Sequence, residues 1–141
     1  MDWEACERNR LAKKVSPDKN LANSLSDSSA LKFQTQALLE LTDITATSKI
    51  SLVYDALREL LEAIAITKGY KIYNHECYCA FLKEILKDSE LGDLFDSFRK
   101  VRNLINYYGK KVSAEEAKPI INELVTLLEK IQEKFQPKQP L

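Results

Sequence analysis

Apolar residues recur at three- and four-residue spacing through most of the chain, which is the period of an amphipathic α-helix. No stretch shows the sustained alternation with β-branched residues that is typical of a strand, so no sheet is expected. Short connections between long helices favour antiparallel neighbours. The pattern therefore predicts an all-α fold: an up-and-down four-helix-type bundle at 18–135, a helical N-terminal extension at 1–17 and a disordered tail at 136–141.

Polar residues mark the predicted helix ends in the first half of the chain. A short helix is expected over 2–14, and Asp18 is suited to cap the second helix. The segment 42–49, TDITATSK, is rich in side chains that compete for backbone hydrogen bonds, so a break is predicted there. The second helix should bury one face, formed by Ala30, Phe33, Ala37, Leu41 and Ile44.

The second half of the chain carries clearer signals. Gly69 follows a lysine and should end the third helix, and Asn74 can cap the fourth. Gly109 should end a fifth helix. The sequence Ser-Ala-Glu-Glu at 113–116 is a capping box that opens a sixth. The fifth helix should bury a stripe formed by Leu91, Leu94, Phe98, Val101, Ile105 and Tyr108.

Composition excludes several classes of protein. A length of 141 residues predicts one domain, and 21 basic against 21 acidic residues argue against a globally basic nucleic-acid binder. No apolar run is long enough for a membrane span, and no signal peptide is recognisable at the N-terminus. With three cysteines, an odd number, a reduced cytoplasmic protein without disulfides is expected.

Metal and cofactor chemistry is poorly supported by the residues available. His75 is the only histidine, and Cys77-Tyr-Cys79 lacks the two-residue spacing of zinc sites. These two cysteines are expected to be one small buried residue and one incidental thiol. Three scattered glycines cannot form a phosphate-binding loop. We therefore expect neither a metal nor a cofactor.

One segment differs from the rest of the chain. Residues 98–112, FRKVRNLINYYGKKV, hold five of the 21 basic residues and no acid, so the remaining chain is net acidic. Adjacent Tyr107 and Tyr108 add rings on which bases could stack, and such a segment suits a phosphate backbone with unstacked bases. The alternative is an ordinary solvated helix face, with cations favoured near a helix C-terminus.

Helical geometry places these side chains relative to the core. At about 100° per residue, Arg102 lies at the edge of the apolar stripe, where an arginine is held more rigidly than in open solvent. Arg99, Arg102 and Asn106 should share one flank. Tyr107 should project toward the other.

The chain resembles the HEPN (higher eukaryotes and prokaryotes nucleotide-binding) domain family over roughly residues 18–135. The resemblance lies in Arg102-Asn103 followed by a polar and aromatic cluster near a late helix end, and in the helix pair of 54–86 joined by a Gly-Tyr turn. It implies a dimeric helical bundle. It also implies kinship with metal-independent ribonucleases, many of which pair with a small nucleotidyltransferase as toxin and antitoxin.

In that family an arginine is followed, after four to six residues, by a histidine that assists attack of the RNA 2′-OH while the arginine stabilises the phosphate. Here the corresponding positions hold Tyr107, counted from Arg102, and Asn106, counted from Arg99. Neither is a base at neutral pH. The resemblance thus implies a phosphate contact for Arg102 without the motif histidine. Any catalytic residues would come from Arg102, Asn106 and Tyr107.

Three hypotheses remain open. The first is a dimer that binds RNA, a nucleotide or a nucleotidyltransferase partner through candidate residues in the 99–111 segment: Arg99, Arg102, Asn103, Asn106, Tyr107, Tyr108, Lys110 and Lys111. The second is a metal-independent ribonuclease of divergent motif, and the third is a purely structural interaction bundle. A dimer interface could use Phe95, Leu104 and Tyr107, which lie off the main stripe of the fifth helix.

Overall fold

A computed structural model describes residues 1–136 and confirms an all-α helical bundle. The helices are α1 (Trp3–Arg8), α2 (Lys19–Leu38), α3 (Ala46–Thr67), α4 (His75–Ala80), α5 (Ser89–Tyr108) and α6 (Ala114–Phe135). A π-helical turn, Phe81–Ile85, continues α4. Helix α3 is the central element: its apolar positions are almost all buried, and it packs against α2 and α6.

Most predicted helix ends agree with the structure. The side chains of Asp18 and Asn74 accept hydrogen bonds from the first turns of α2 and α4. Gly69 and Gly109 adopt positive φ angles of 86° and 62° behind α3 and α5. The capping box at Ser113 is complete, and a break is present but lies earlier than the predicted 42–49, between Leu38 and Ala46.

The prediction that there is no sheet, and that a helix spans 2–14, is wrong. Helix α1 ends at Arg8, and strands β1 (Ala12–Lys14) and β2 (Tyr70–Ile72) form a two-stranded antiparallel sheet. Three residues per strand are too few for a visible alternation of apolar and polar positions. The sheet ties the N-terminal segment to the connection between α3 and α4.

The predicted buried face of α2 is only partly correct: Phe33 and Leu41 are partly buried against the core. Ala30, Ala37 and Ile44 are exposed, whereas Ala22, Ser29 and Gln36 are buried. The buried set repeats every seventh residue and is small or polar. Ser29 donates a 2.5 Å hydrogen bond to the Ala56 carbonyl of α3, and such a contact leaves no apolar pattern in the sequence.

Helix α5 buries Leu91 and Phe98 of the predicted stripe, and Leu94 and Ile105 pack partly buried against the core, but two positions differ from the expectation. Phe95, which was predicted to lie off the main stripe, is fully buried against Tyr54 of α3 and Tyr78 of α4, with ring centroids 5.5 and 6.3 Å apart. Tyr108, predicted to be in the stripe, is 78% exposed. The helix faces α4 and α3 over its first half, and its last turn extends beyond the core.

The expectation of unpaired cysteines is wrong as well. Cys6 of α1 and Cys77 of α4 form a disulfide across 71 residues of sequence, and Cys79 is free and buried. The two sulfurs meet because the sheet and the burial of Trp3 bring α1 against α4. Spacing along the chain gave no sign of this pairing.

Within residues 1–136, no helix combines the length and the apolar character needed to cross a membrane. The tail predicted to be disordered, 136–141, lies outside the described residues except for Gln136, which caps the end of α6.

Candidate functional site

The start of α4 and the second half of α5 enclose a small cleft, hereafter the Arg102 cleft. It has a volume of about 260 Å³ and is lined from α4 by Asn74, His75 and Glu76, with Tyr73 just before them. From α5 it is lined by Arg99, Arg102, Asn103 and Tyr107. Sites for small molecules usually measure about 300–1,000 Å³, so this open cleft suits one phosphate group better than an enclosed cofactor.

Local sequence features bring the two helices together at this point. The Asn74 side chain accepts a hydrogen bond from the Cys77 backbone and fixes where α4 begins. Gly92 lets α5 approach α4 closely, because a Cβ there would lie 3.1 Å from the Cys79 carbonyl oxygen and closer still to the Lys83 side chain. The disulfide at Cys77 fixes α4 from its other side.

Arg102 lies at the centre of the cleft, between two aromatic rings. Its guanidinium carbon is 5.6 Å from the ring centroids of both Tyr54 and Tyr107, and Nη1 donates to the Tyr107 hydroxyl at 3.3 Å. Its Nε is buried without a hydrogen-bond partner. Among residues 1–136 no carboxylate pairs with Arg102. A partly buried guanidinium without a carboxylate partner is suited to donate hydrogen bonds to an oxyanion.

His75 contributes a neutral imidazole to the same cleft. Its Nδ1 lies 3.0 Å from the hydroxyl oxygen of Tyr54, and the two rings stack. Burial, together with the positive charges of Arg102, Arg58 and Arg99, lowers the pKa of His75 to about 4. Burial likewise raises the pKa of Tyr54, so its hydroxyl stays protonated. At neutral pH His75 can therefore donate or accept a hydrogen bond without carrying charge.

The second arginine of the cleft is already paired. Arg99 donates from Nε and Nη2 to one oxygen of Asp96, at 3.0 and 2.8 Å. Glu76, the one acid that lines the cleft, lies 3.4 Å from the N-terminal amine. Arg99 can thus add a positive field, but Arg102 is the arginine with donors to spare.

The structure separates the candidate residues of the 99–111 segment into groups. Arg99, Arg102, Asn103 and Tyr107 meet in the cleft, although Tyr107 was expected on the opposite flank. Asn106, expected beside Arg102, instead lies 3.4 Å from the Ser51 hydroxyl. Tyr108 projects into solvent. The five basic residues therefore do not form one surface.

Lys110 and Lys111 belong to a different depression at the α5–α6 connection. It is lined also by Asp43, Thr47 and Glu116, so acids balance the two lysines there. Its position beyond Gly109 follows from the end of α5. These lysines are consequently not part of the Arg102 cleft.

The sequence did not identify the cleft residues Tyr73, Asn74, His75 and Glu76 as site residues, nor the Tyr54 ring against which Arg102 packs. A histidine was expected four to six residues after an arginine of the fifth helix, whereas His75 lies at the start of the preceding helix. A signal was available, because the start of α4 must lie beside the end of α5 if the two helices are antiparallel neighbours.

Comparisons with known proteins add nothing to this geometry: no family model, curated protein or solved structure matches the chain. Within the described part of the chain, no three His, Cys, Asp or Glu side chains are grouped so that they could hold a metal ion.

Proposed function

We propose that the protein binds RNA by holding a backbone phosphate in the Arg102 cleft. The observation that carries this proposal is the state of Arg102: it is partly buried, it stacks on Tyr54, and within residues 1–136 no carboxylate pairs with it. A guanidinium that no carboxylate neutralises can donate to a ligand oxyanion without first breaking an ion pair. A phosphate oxygen is the ligand that best suits a guanidinium fork.

Three further features support a nucleic-acid phosphate over a free inorganic anion. The cleft is open and small, so a polymer can enter with one phosphate and leave on both sides. Exposed tyrosines flank it, Tyr73 at 51% and Tyr107 at 69%, and every base can stack on such a ring. The resemblance to the HEPN family points in the same direction, with Arg102 in the phosphate-contacting position.

The test is the affinity for a labelled single-stranded oligoribonucleotide, measured by fluorescence anisotropy at several salt concentrations. We expect Arg102→Gln to weaken binding about 10- to 100-fold, because hydrogen bonds to a charged group are lost in a partly buried site. The slope of log affinity against log salt should fall by about 0.7, the value for one phosphate contact on a single strand. The RNA affinity of Arg102→Lys should lie between those of the wild type and Arg102→Gln, since lysine keeps the charge but cannot make the paired hydrogen bonds of a guanidinium.

The matched control is Arg58→Gln. Arg58 is also partly buried and pairs with Glu62 within α3, with a nitrogen–oxygen distance of 3.0 Å. We expect its loss to change RNA affinity by less than about threefold, because it acts on the cleft only through longer-range charge. Equal effects of the two substitutions, or none from Arg102→Gln, would contradict the proposal.

A second candidate function is metal-independent RNA cleavage, and the placement of His75 beside Arg102 favours it. His75 would take the proton of the 2′-OH, the oxygen would attack phosphorus, and the P–O5′ bond would break as the leaving 5′-oxygen takes a proton from water, giving a 2′,3′-cyclic phosphate and a 5′-hydroxyl; the imidazolium then returns its proton to the hydroxide left behind. The pKa of about 4 makes His75 a weak base at neutral pH. Binding is therefore the better supported function.

Cleavage is tested by incubating single-stranded RNA with the protein in excess EDTA and analysing the product ends. Cyclic phosphate ends that disappear in both His75→Gln and Arg102→Gln would establish the activity. Intact RNA after prolonged incubation, with binding retained, would assign the cleft to binding alone.

Helix α5 also carries exposed side chains that could contact a protein partner. Leu104, at 42% exposure, and Tyr107 remain available for a homodimer, whereas Phe95 is buried and is not. Analytical ultracentrifugation with Leu104→Glu tests the dimer: we expect the substitution to convert a dimer to a monomer. A nucleotidyltransferase partner or a purely structural role would instead give a complex that resists nuclease treatment and does not require Arg102.

A further inference from the structure

The two-stranded sheet presents two lysines beside one exposed ring. Lys13 of β1 and Lys71 of β2 are direct partners in the antiparallel register. Their ammonium nitrogens lie 5.9 and 5.5 Å from the centroid of the Tyr73 ring. Both lysines are exposed, and the ring is 51% exposed. A phosphate and a base could therefore be bound side by side here.

Like charges directly opposite one another destabilise a strand pair. Within residues 1–136 neither Lys13 nor Lys71 forms an ion pair, so no carboxylate of the described chain offsets this repulsion. The sheet is held instead by its backbone ladder and by the 2.8 Å hydrogen bond from the Tyr73 backbone to the Leu11 carbonyl. An anion bound between the lysines would convert the repulsion into attraction.

The lysine pair is continuous with the Arg102 cleft. Tyr73 belongs to both, because it contacts the lysines and also lines the cleft beside His75 and Arg102. A chain leaving the cleft on this side therefore meets the Tyr73 ring first and the two ammonium groups next. Tyr107 provides the corresponding ring on α5.

We propose that Lys13, Lys71 and Tyr73 form a second subsite, which binds the nucleotide adjoining the one in the Arg102 cleft. The base stacks on Tyr73 and its phosphate lies between the two lysines. This inference rests on the proposed function, and it specifies the ligand as a single strand at least two nucleotides long. A duplex is disfavoured because its paired bases cannot turn onto the ring.

The experiment compares uridine monophosphate with an eight-residue oligouridylate, using the full chain and isothermal titration. Tyr73→Ala should weaken oligouridylate binding about 5- to 100-fold, the cost of losing one base stack, whereas Lys13→Gln, which lies outside the cleft lining, should weaken the oligouridylate and leave the monophosphate affinity unchanged. Tyr73→Phe should retain the wild-type affinity, because the ring and not the hydroxyl makes the contact.

Lys13→Gln should lower the salt slope for the oligonucleotide by about 0.7. Lys14→Gln is the matched control, since successive strand residues point to opposite faces and Lys14 lies opposite Tyr70 in the register. Both variants keep the strand pairing, which needs only the backbone.

The outcomes separate this inference from the proposed function. If Arg102→Gln weakens both ligands while the Tyr73 and Lys13 variants behave like the Lys14 control, the second subsite is refuted and the phosphate cleft stands. If Arg102→Gln changes neither ligand, the proposed function fails and this inference fails with it. Duplex RNA or an acidic polypeptide that binds as tightly as the single strand would also refute the stacking subsite.

Discussion

The α2–α3 interface and the Arg102 cleft both hold charged side chains away from solvent. The interface pairs its charges with carbonyl or carboxylate oxygens, whereas the cleft does not. At the interface, Lys49 is 7% exposed and donates to the carbonyls of Gln36 and Leu39, both at 2.5 Å, and Lys32 pairs with Glu59. One oxygen of Glu59 lacks a hydrogen bond, yet its carboxylate is neutralised through the other. In the cleft, Arg102 has only a tyrosine hydroxyl and two ring faces.

This contrast distinguishes charges that stabilise the fold from a charge that is available to a ligand. Lys49 satisfies two backbone carbonyls at the end of α2, where a helix has no partners of its own. Arg102 donates to no backbone carbonyl and to no carboxylate of residues 1–136. Removing the first should therefore reduce stability, and removing the second should reduce binding.

The largest expected effect on the free energy of unfolding comes from the disulfide that joins α1 to α4, the helix that lines one side of the cleft. Cys6→Ser removes a cross-link that closes 71 residues of sequence, and chain-entropy arguments give a loss of about 4 kcal/mol in the free energy of unfolding. Urea denaturation measures this loss. Dithiothreitol should shift the wild-type midpoint to that of the variant and leave the variant unchanged; a wild-type midpoint insensitive to the reductant would show that the link does not stabilise the fold.

The next effect tests the contrast between the two regions directly. Lys49→Met keeps the aliphatic stem but leaves two carbonyls unsatisfied, so we expect a loss of about 2–3 kcal/mol in the free energy of unfolding. Arg102→Met should change the same quantity by less than about 0.5 kcal/mol. Urea denaturation of both variants decides the matter: similar losses would mean that Arg102 has a structural role.

The smallest effect comes from the pH dependence of stability. The unfolded chain protonates His75 near pH 6.5, whereas in the fold burial and nearby arginines hold the pKa at about 4. Between these values protons bind the unfolded chain preferentially, so stability falls as the pH drops from 6.5 to 4. Because the ring is partly exposed, solvent screening limits the loss to about 1–2 kcal/mol.

The control for this pH effect is His75→Gln, which removes the only histidine. The difference in unfolding free energy between wild type and variant should vary with pH across that window and be constant above it. A constant difference throughout would show that His75 titrates normally in the folded protein.

The sequence was most informative where one residue acts on its own helix. The cap at Ser113 and the end of α5 at Gly109 are local consequences of side-chain and backbone chemistry, and both were predicted. The face of α2 was predicted only in part, because small and polar residues bury it through contacts with α3. Contacts of that kind depend on the partner helix.

The same distinction explains how much of the site could be predicted. Arg102 was placed at the edge of the core from helical spacing, and its guanidinium does lie against the buried Tyr54 ring. His75 and Tyr73 reach the cleft from another element. Their place depends on the pairing of β1 with β2 and on the Cys6–Cys77 disulfide, which join segments about 60 to 70 residues apart.

The most direct test of the RNA-binding cleft uses the single histidine as a reporter. We would follow the His75 ring-proton resonances by NMR while a single-stranded oligoribonucleotide is added at pH 7. The account predicts a saturable shift in the wild type, because a phosphate on Arg102 lies beside the imidazole, and a greatly weakened one in Arg102→Gln. RNA that binds with comparable affinity while the His75 resonances stay in place would contradict it.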